Sequence, residues 1–157
     1  MIRGYEAVRP AEAVAPGRLQ WGAALGAGFI AGLVLLIIPR GSPWASLTFF
    51  SPAIMGRAVP AGMMLPLPFA WAVHLGLSLV YGIIVSASIA ALHRYRAVLV
   101  GGMIGAVLYL LNWLIVSLLW PRWAVGNQVP VIFTHVVFGM IAAGAYRGLL
   151  RRKVTAG

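Results

Sequence analysis

Long uncharged, apolar stretches follow one another along most of the chain. They cover residues 19–39, 41–56, 58–93, 97–121 and 123–146. An α-helix needs about 20 apolar residues, each rising about 1.5 Å, to cross the roughly 30 Å hydrocarbon core of a bilayer. All of the stretches except 41–56 are long enough for that. The pattern therefore predicts an all-α polytopic membrane protein, built as a bundle of four transmembrane helices.

Prolines and charged residues mark the expected ends of these helices. The predicted spans cover residues 19–38, 69–92, 97–120 and 129–150. The first ends at Pro39 and Arg40, and the third ends at Pro121 and Arg122. Both kinds of residue are suited to such ends, because proline has no amide hydrogen for the helix and charges avoid hydrocarbon.

Lysine and arginine are distributed unevenly between the two ends of the spans. Placing both chain termini in the cytoplasm puts these basic residues inside: Arg3, Arg9, Arg18, Arg94, Arg96, Arg147, Arg151, Arg152 and Lys153. It leaves Arg40, Arg57 and Arg122 outside. Because cytoplasmic loops are enriched in such residues, we expect residues 1–18 and 151–157 to be cytoplasmic tails on either side of a transmembrane domain at 19–150.

The connection between the first two spans, residues 42–65, is too apolar for a free loop. Its stretch 44–56 is about half as long as a span and carries Trp44 and Phe49. Because aromatic rings favour the boundary between lipid and water, the stretch predicts an interfacial helix on the outer leaflet. A re-entrant half-helix, broken at Pro52, is the alternative.

Small residues recur at the spacing of one helical turn. The glycines assigned to helix packing are Gly22, Gly26, Gly28, Gly32, Gly101, Gly105, Gly139, Gly144 and Gly148. Hydrophobic burial cannot drive helices together in lipid, so close approach at small residues supplies the packing energy. We expect these glycines to hold the bundle together. The alternative is that one such face, that of the first span, docks a partner protein or a second copy of the chain.

The two halves of the chain are weakly alike. Residues 28–30 (GFI) align with residues 102–104 (GMI), and residues 80–84 (VYGII) align with residues 137–141 (VFGMI). Each pentapeptide follows a histidine, although the spacing differs by four residues between the halves. Since both halves are expected to cross the membrane outward and then back, one interpretation is a parallel internal repeat. The alternative is a chance match, which is common between apolar sequences.

Few polar side chains lie within the spans. The candidate cluster consists of His74, Ser78, Tyr81, Tyr109, Asn112 and His135. Counted from the outer ends of their spans, His74, Asn112 and His135 lie within about 5 Å of one another in depth. We therefore expect them to meet in the outer half of the bundle. There they either satisfy one another or contact a haem b, a quinone or a passing substrate.

Composition narrows the chemistry further. Charged residues are 9% of the chain, cysteine is absent, and the two acidic residues, Glu6 and Glu12, lie in the N-terminal tail. The spans therefore lack thiolates and carboxylates, and two histidines are too few to hold zinc, so we expect neither catalysis nor a metal site. The net charge of +10 flanks the spans instead of covering one soluble face, so we expect no nucleic-acid partner.

Several short blocks of sequence form a recognisable set over most of the chain. They are Pro43-Trp44, Ile54-Met55-Gly56, His74, Leu77-Ser78, Tyr81-Gly82, residues 108–112 (LYLLN), Pro121, Trp123-Ala124, Asn127, His135, Val137-Phe138-Gly139 and Tyr146. In these blocks the chain resembles a family of small four-span bacterial inner-membrane proteins that often carries the label "sodium:proline symporter". The resemblance implies a multi-pass protein of the bacterial inner membrane. The first span, closed by Pro39, is shorter than the family's.

Together these features predict a non-enzymatic membrane protein that serves as an accessory or stabilising subunit of a larger complex, such as a respiratory one. Its partners are then membrane lipid and other membrane-protein subunits, or further copies of itself. The first alternative is an oligomeric transporter or channel for a small solute, although the chain is too short for the broken-helix core of a true symporter. The second is a haem- or quinone-binding electron-transfer subunit.

Overall fold

The computed structural model describes residues 18–37, 67–119 and 129–155. Its helices are α1 (Trp21–Ile37), α2 (Leu67–Ile89), α3 (Arg94–Leu119) and α4 (Val129–Thr155). The described residues contain no strand, which confirms the predicted all-α helical bundle. The stretch 44–56, expected to be interfacial or re-entrant, lies outside the described residues.

Three of the helices are long and apolar enough to cross a membrane. Their apolar portions are Trp71–Ile89, Arg94–Ile115 and Val131–Leu150, whereas that of α1, Trp21–Leu36, is shorter. Large apolar side chains stay uncovered on the outside of the bundle. Leu99, Met103 and Leu118 on α3 are 67%, 68% and 72% exposed. Apolar surface of this extent marks a face that contacts lipid or another protein instead of water.

The helix ends differ from the predicted ones by a few residues. α2 ends three residues early, at Ile89, because the chain turns there and the Leu92 amide donates to the Ile89 carbonyl (2.9 Å). α3 begins three residues early, at Arg94. α4 continues to Thr155, so most of the expected tail at 151–157 is helical. Arginine and lysine are good helix formers, and their charge is favourable at a helix C-terminus.

α1 and α2 form the first helix pair, which small residues hold together. A Cβ atom on Gly28 would meet the carbonyl oxygen of Ser78, and it would lie 3.0 Å from Cα of Gly82. A Cβ atom on Gly82 would meet Gly28 in turn and lie 3.1 Å from the Ala24 carbonyl oxygen. Two backbones approach this closely only where neither residue has a side chain.

α3 and α4 form the second helix pair in the same way. A Cβ atom on Gly105 would meet the carbonyl oxygen of His135. A Cβ atom on Gly139 would meet the carbonyl oxygen of Gly101 and lie 3.1 Å from the amide nitrogen of Gly105. One on Gly101 would lie 2.7 Å from Cβ of Ala143.

The two helix pairs cross in the same register. In the first pair, Gly82 of α2 lies against the amide nitrogen of Gly28 of α1. In the second pair, Gly139 of α4 lies in the same way against the amide nitrogen of Gly105 of α3. Gly28 therefore corresponds to Gly105, and Gly82 corresponds to Gly139. In each pair, the first glycine also lies against the carbonyl four residues before the second. This shared register supports the internal repeat over a chance match of the two halves.

The register confirms one of the two sequence alignments and corrects the other. The pentapeptides at 80–84 and 137–141 do correspond, because each contains the glycine of its crossing. Gly28, however, corresponds to Gly105, three residues beyond the expected Gly102, which faces the side chain of Met140 instead. The shorter alignment was a chance match among common apolar residues.

The C-terminal part of α4 connects the two helix pairs. The Tyr146 hydroxyl accepts a hydrogen bond from the backbone amide of Gln20, the residue before α1 (3.1 Å). Nη2 of Arg147 donates to the carbonyl of Ile89 at the end of α2 (3.0 Å), where a positive charge is favourable. The contact between the two pairs is uneven, since α1 packs more extensively on α4 than α2 does on α3.

Candidate functional site

Three polar side chains from three helices form a continuous series of hydrogen bonds. The hydroxyl of Tyr81 on α2 donates to Oδ1 of Asn112 on α3 (2.6 Å). Nδ2 of Asn112 lies 3.2 Å from Nε2 of His135 on α4. Nδ1 of His135 lies 2.9 Å from the carbonyl oxygen of Val131. We refer to Tyr81, Asn112 and His135 as the polar chain.

The direction of these hydrogen bonds follows from the groups at each step. A carbonyl only accepts, so Nδ1 of His135 carries the hydrogen that bonds to Val131. An amide nitrogen only donates, so Nδ2 of Asn112 donates to an unprotonated Nε2. Neutral His135 is therefore the Nδ1–H tautomer. Every hydrogen bond then runs in the same direction, from Tyr81 through Asn112 and His135 to the carbonyl of Val131.

Aromatic rings enclose the polar chain. The ring of Tyr109, one turn before Asn112, lies 5.7 Å from the imidazole of His135 between centroids, at 66°. The ring of Phe138 meets that of Tyr81 edge-on, at 6.2 Å and 84°. Tyr109 and Phe138 are buried, whereas the three polar side chains are half-buried. Because unpaired polar groups are costly in such surroundings, the hydrogen bonds stabilise the bundle.

Helical spacing and the glycine crossing explain why these side chains converge. Tyr109 and Asn112 are three residues apart on α3, as are His135 and Phe138 on α4, so each pair shares a helix face. Gly105 brings the backbone of α3 against the carbonyl of His135. The turn of α4 that carries the imidazole is thereby held against α3.

His74 and Ser78 lie at a different contact, between α1 and α2. Nε2 of His74 donates to the Gly32 carbonyl oxygen (3.1 Å), and the Ser78 hydroxyl donates to the carbonyl of His74 (2.7 Å). His74 therefore does not join Asn112 and His135 as the sequence suggested. In the register of the helix pairs His135 corresponds to Ser78, so His74 lies one turn away, about 6 Å along the helix.

The two intramembrane histidines do not fit a haem held between them. Such ligation needs a ring nitrogen of each histidine turned toward the same iron. Nε2 of His74 faces the Gly32 carbonyl, whereas Nε2 of His135 faces Asn112. The part of the chain that the structure describes also contains no group of three or more metal-ligating side chains.

The glycines expected to pack fall into two groups. Those with close neighbours on another helix are Gly26, Gly28, Gly32, Gly101, Gly105 and Gly139. Those with nothing within 4 Å of an added Cβ are Gly22, Gly144 and Gly148. Sequence reasoning missed Gly82 and Gly102, which also contact other helices. Gly82 could have been found, because it lies midway between Ser78 and Ser86 in a repeat of small residues four apart.

No family model matches the chain, and neither a curated protein nor a solved structure matches it. The resemblance to the symporter-labelled family stays a prediction. The polar chain and the helix faces are the features from which a function has to be inferred.

Proposed function

We propose that the chain is a non-enzymatic accessory subunit of a larger membrane complex and that it docks a partner helix on α4. The observation that carries this proposal is the open face at Gly144 and Gly148. These glycines lie four residues apart, and among the described residues nothing comes within 4 Å of a Cβ there. Within the bundle, paired glycines such as Gly101 and Gly105 admit a neighbouring helix. A partner helix fits the α4 face by the same packing.

The polar chain supports a stabilising role. The side chains of Tyr81, Asn112 and His135 bond to one another and to the backbone of Val131. Polar groups that already have partners gain little by exchanging them for a substrate. They do hold three helices in fixed positions, as a scaffold requires.

The proposal includes four passes through a bacterial inner membrane, with both termini in the cytoplasm. α1 has 17 residues and is about 26 Å long, so a bilayer accommodates it at a cost of a fraction of a kcal/mol per Å of mismatch. It packs along α2 and α4, which are long enough to span. Arg94 and Arg147 lie at the end of the bundle that we assign to the cytoplasm.

The test is purification of the tagged chain from its native membrane in a mild detergent, with mass spectrometry of the proteins that elute with it. An accessory subunit is expected to bring a membrane protein with it in stoichiometric amount. Gly144→Leu combined with Gly148→Leu is expected to lose that partner and remain folded, because both positions are open. Gly76→Leu is the matched control, since it is equally open on α2.

Two results would contradict the proposal. Wild-type chain that elutes alone as a single species has no partner to support. A double variant that keeps the partner as well as the Gly76→Leu control does shows that the α4 face is not the docking surface.

An oligomeric channel or transporter is the second candidate. It is favoured by the position of the polar chain, which bridges the two helix pairs between α2 and α3. Of the three helices that α2 contacts, α3 is the one on which it packs least. Solute flux into liposomes is then expected to require the protein and to disappear with Asn112→Leu. Flux equal to that of empty liposomes counts against it.

A further inference from the structure

We propose that the polar chain is a binding site for one proton, which is taken up at Nε2 of His135. The proposal does not depend on the accessory role. Nε2 is the unprotonated nitrogen of the neutral ring, as the bond from Nδ1 to Val131 requires. It faces Asn112 at 3.2 Å, and an amide side chain can present either a donor or an acceptor.

Asn112 can reverse the polarity of the polar chain without moving a helix. Rotation by half a turn about its Cβ–Cγ bond exchanges Oδ1 and Nδ2, which occupy nearly the same space. Oδ1 then accepts from protonated Nε2 of His135, and Nδ2 donates to the hydroxyl oxygen of Tyr81. The incoming proton forms one new N–H bond, and no covalent bond breaks. Tyr81 keeps its hydroxyl hydrogen, which turns away from Asn112.

Two hydrogen-bond acceptors stabilise the imidazolium that results, and an aromatic ring lies beside it. The Val131 carbonyl accepts from Nδ1 in both protonation states. Oδ1 of Asn112 accepts from Nε2 after the amide has turned. The ring of Tyr109 packs against the imidazole, 5.7 Å away between centroids and at 66°.

Within the described residues, two titratable side chains face His135 from neighbouring helices. Tyr81 faces it from α2 through Asn112, and Tyr109 faces it from α3. α1 carries no titratable residue along Trp21–Ile37. Among the described residues, the hydrogen bonds to Asn112 and Val131 and the ring of Tyr109 are therefore the contacts through which we expect the polar chain to act on the proton at His135.

The first helix pair supplies a control within the same molecule. In the shared register Leu35 takes the place of Asn112, and Ser78 takes the place of His135. His74 donates from Nε2 to a backbone carbonyl of α1, so its neutral form is the opposite tautomer. The two histidines are therefore distinguishable by the nitrogen that carries the hydrogen.

The experiment is nitrogen-15 NMR of the histidine-labelled full chain in phosphatidylcholine bilayers, from about pH 8 to about pH 5. His74→Gln and His93→Gln assign the signals. His135 is expected to be the Nδ1–H tautomer at the higher pH and doubly protonated at the lower. Asn112→Leu introduces the residue found at the equivalent position of the first helix pair, Leu35. It is expected to lower the midpoint of His135 protonation by about one pH unit, a tenfold loss of proton affinity. The substitution removes Oδ1 of Asn112, which accepts from protonated Nε2.

Tyr81→Phe moves the midpoint in the opposite direction and retains the ring packing. A phenol donates more strongly than it accepts, so Tyr81 holds the amide in the orientation suited to neutral His135, and its loss favours proton uptake. Ser117→Ala on α3 is the control and leaves the midpoint unchanged. The Nε2–H tautomer for His135, or a Tyr81→Phe midpoint no higher than that of the wild type, overturns the proposal. The Tyr81→Phe result decides even where Asn112→Leu fails to fold.

Discussion

The two helix pairs cross in the same way but differ in what they place one turn beyond the crossing. There the first pair has Gly32, Leu35 and Ser78, where the second has Tyr109, Asn112 and His135. In the first pair, this turn is filled by direct contact, since a Cβ atom on Gly32 would lie 2.7 Å from Oγ of Ser78. In the second, it holds an aromatic ring and most of the polar chain.

This difference shows that the crossing and its surroundings can vary independently. Tyr81 and Phe138 hold equivalent places in the two helix pairs and touch each other edge-on. The glycines determine how the backbones approach. The neighbouring turn is then free to carry either small residues that close the helices or polar residues that bond across them.

The largest expected effects come from placing a methyl group at the crossings. Gly82→Ala and Gly139→Ala are each expected to lower the free energy of unfolding by about 1–3 kcal/mol, because the new Cβ meets backbone that cannot move aside. Unfolding in detergent micelles measures the loss. Gly76→Ala, on open space in α2, is expected to change it by less than about 0.5 kcal/mol. If only one of these two variants lowers the free energy of unfolding, the crossings of the two helix pairs are not equivalent.

Asn112→Leu, which copies Leu35, is expected to cost about 1–2 kcal/mol. It leaves the Tyr81 hydroxyl and Nε2 of His135 without the partner that now joins them. Tyr81→Phe added to Asn112→Leu removes one orphaned group, so the double variant is expected to be more stable than Asn112→Leu alone. Strictly additive losses in the same unfolding assay would mean that the two side chains are not coupled.

Arg147→Gln is expected to destabilise the end of α2 by about 1 kcal/mol. It removes a positive charge and a hydrogen bond from the Ile89 carbonyl at that helix C-terminus. Faster amide hydrogen exchange in the last turn of α2 is the readout. Arg96→Gln is the control, because Arg96 is exposed on α3, and it is expected to leave exchange in α2 as it was.

Ser86→Ala is expected to be neutral or to stabilise the protein by up to about 1 kcal/mol. Oγ of Ser86 is buried without a hydrogen-bond partner among the described residues, and its counterpart in the second pair is Ala143. Ser88→Ala removes an exposed hydroxyl that bonds to the Ile84 carbonyl, and it serves as the comparison. Destabilisation of more than about 1 kcal/mol by Ser86→Ala would show that its hydroxyl has a partner in the membrane.

The helices were predictable from sequence because bilayer thickness sets the length of an apolar stretch. The meeting of Asn112 with His135 was also predictable, since both lie at similar depth. The prediction that His74 joins them was wrong, because the depth of a residue counted from the approximate ends of its span is uncertain by a helical turn. The bond from Arg147 to Ile89 was not predictable, because it depends on which helices become neighbours.

Disulfide cross-linking tests the shared register of the helix pairs most directly, and the absence of native cysteine simplifies it. The contact of Gly101 with Ala143 in the second pair corresponds to Ala24 opposite Ser86 in the first. Ala24→Cys with Ser86→Cys is therefore predicted to form an intramolecular disulfide on oxidation in the membrane. The register taken from sequence alone places Ala27 opposite Ser86. Efficient cross-linking of Ala27→Cys with Ser86→Cys, and none with Ala24→Cys, would contradict the account of two equivalent helix pairs.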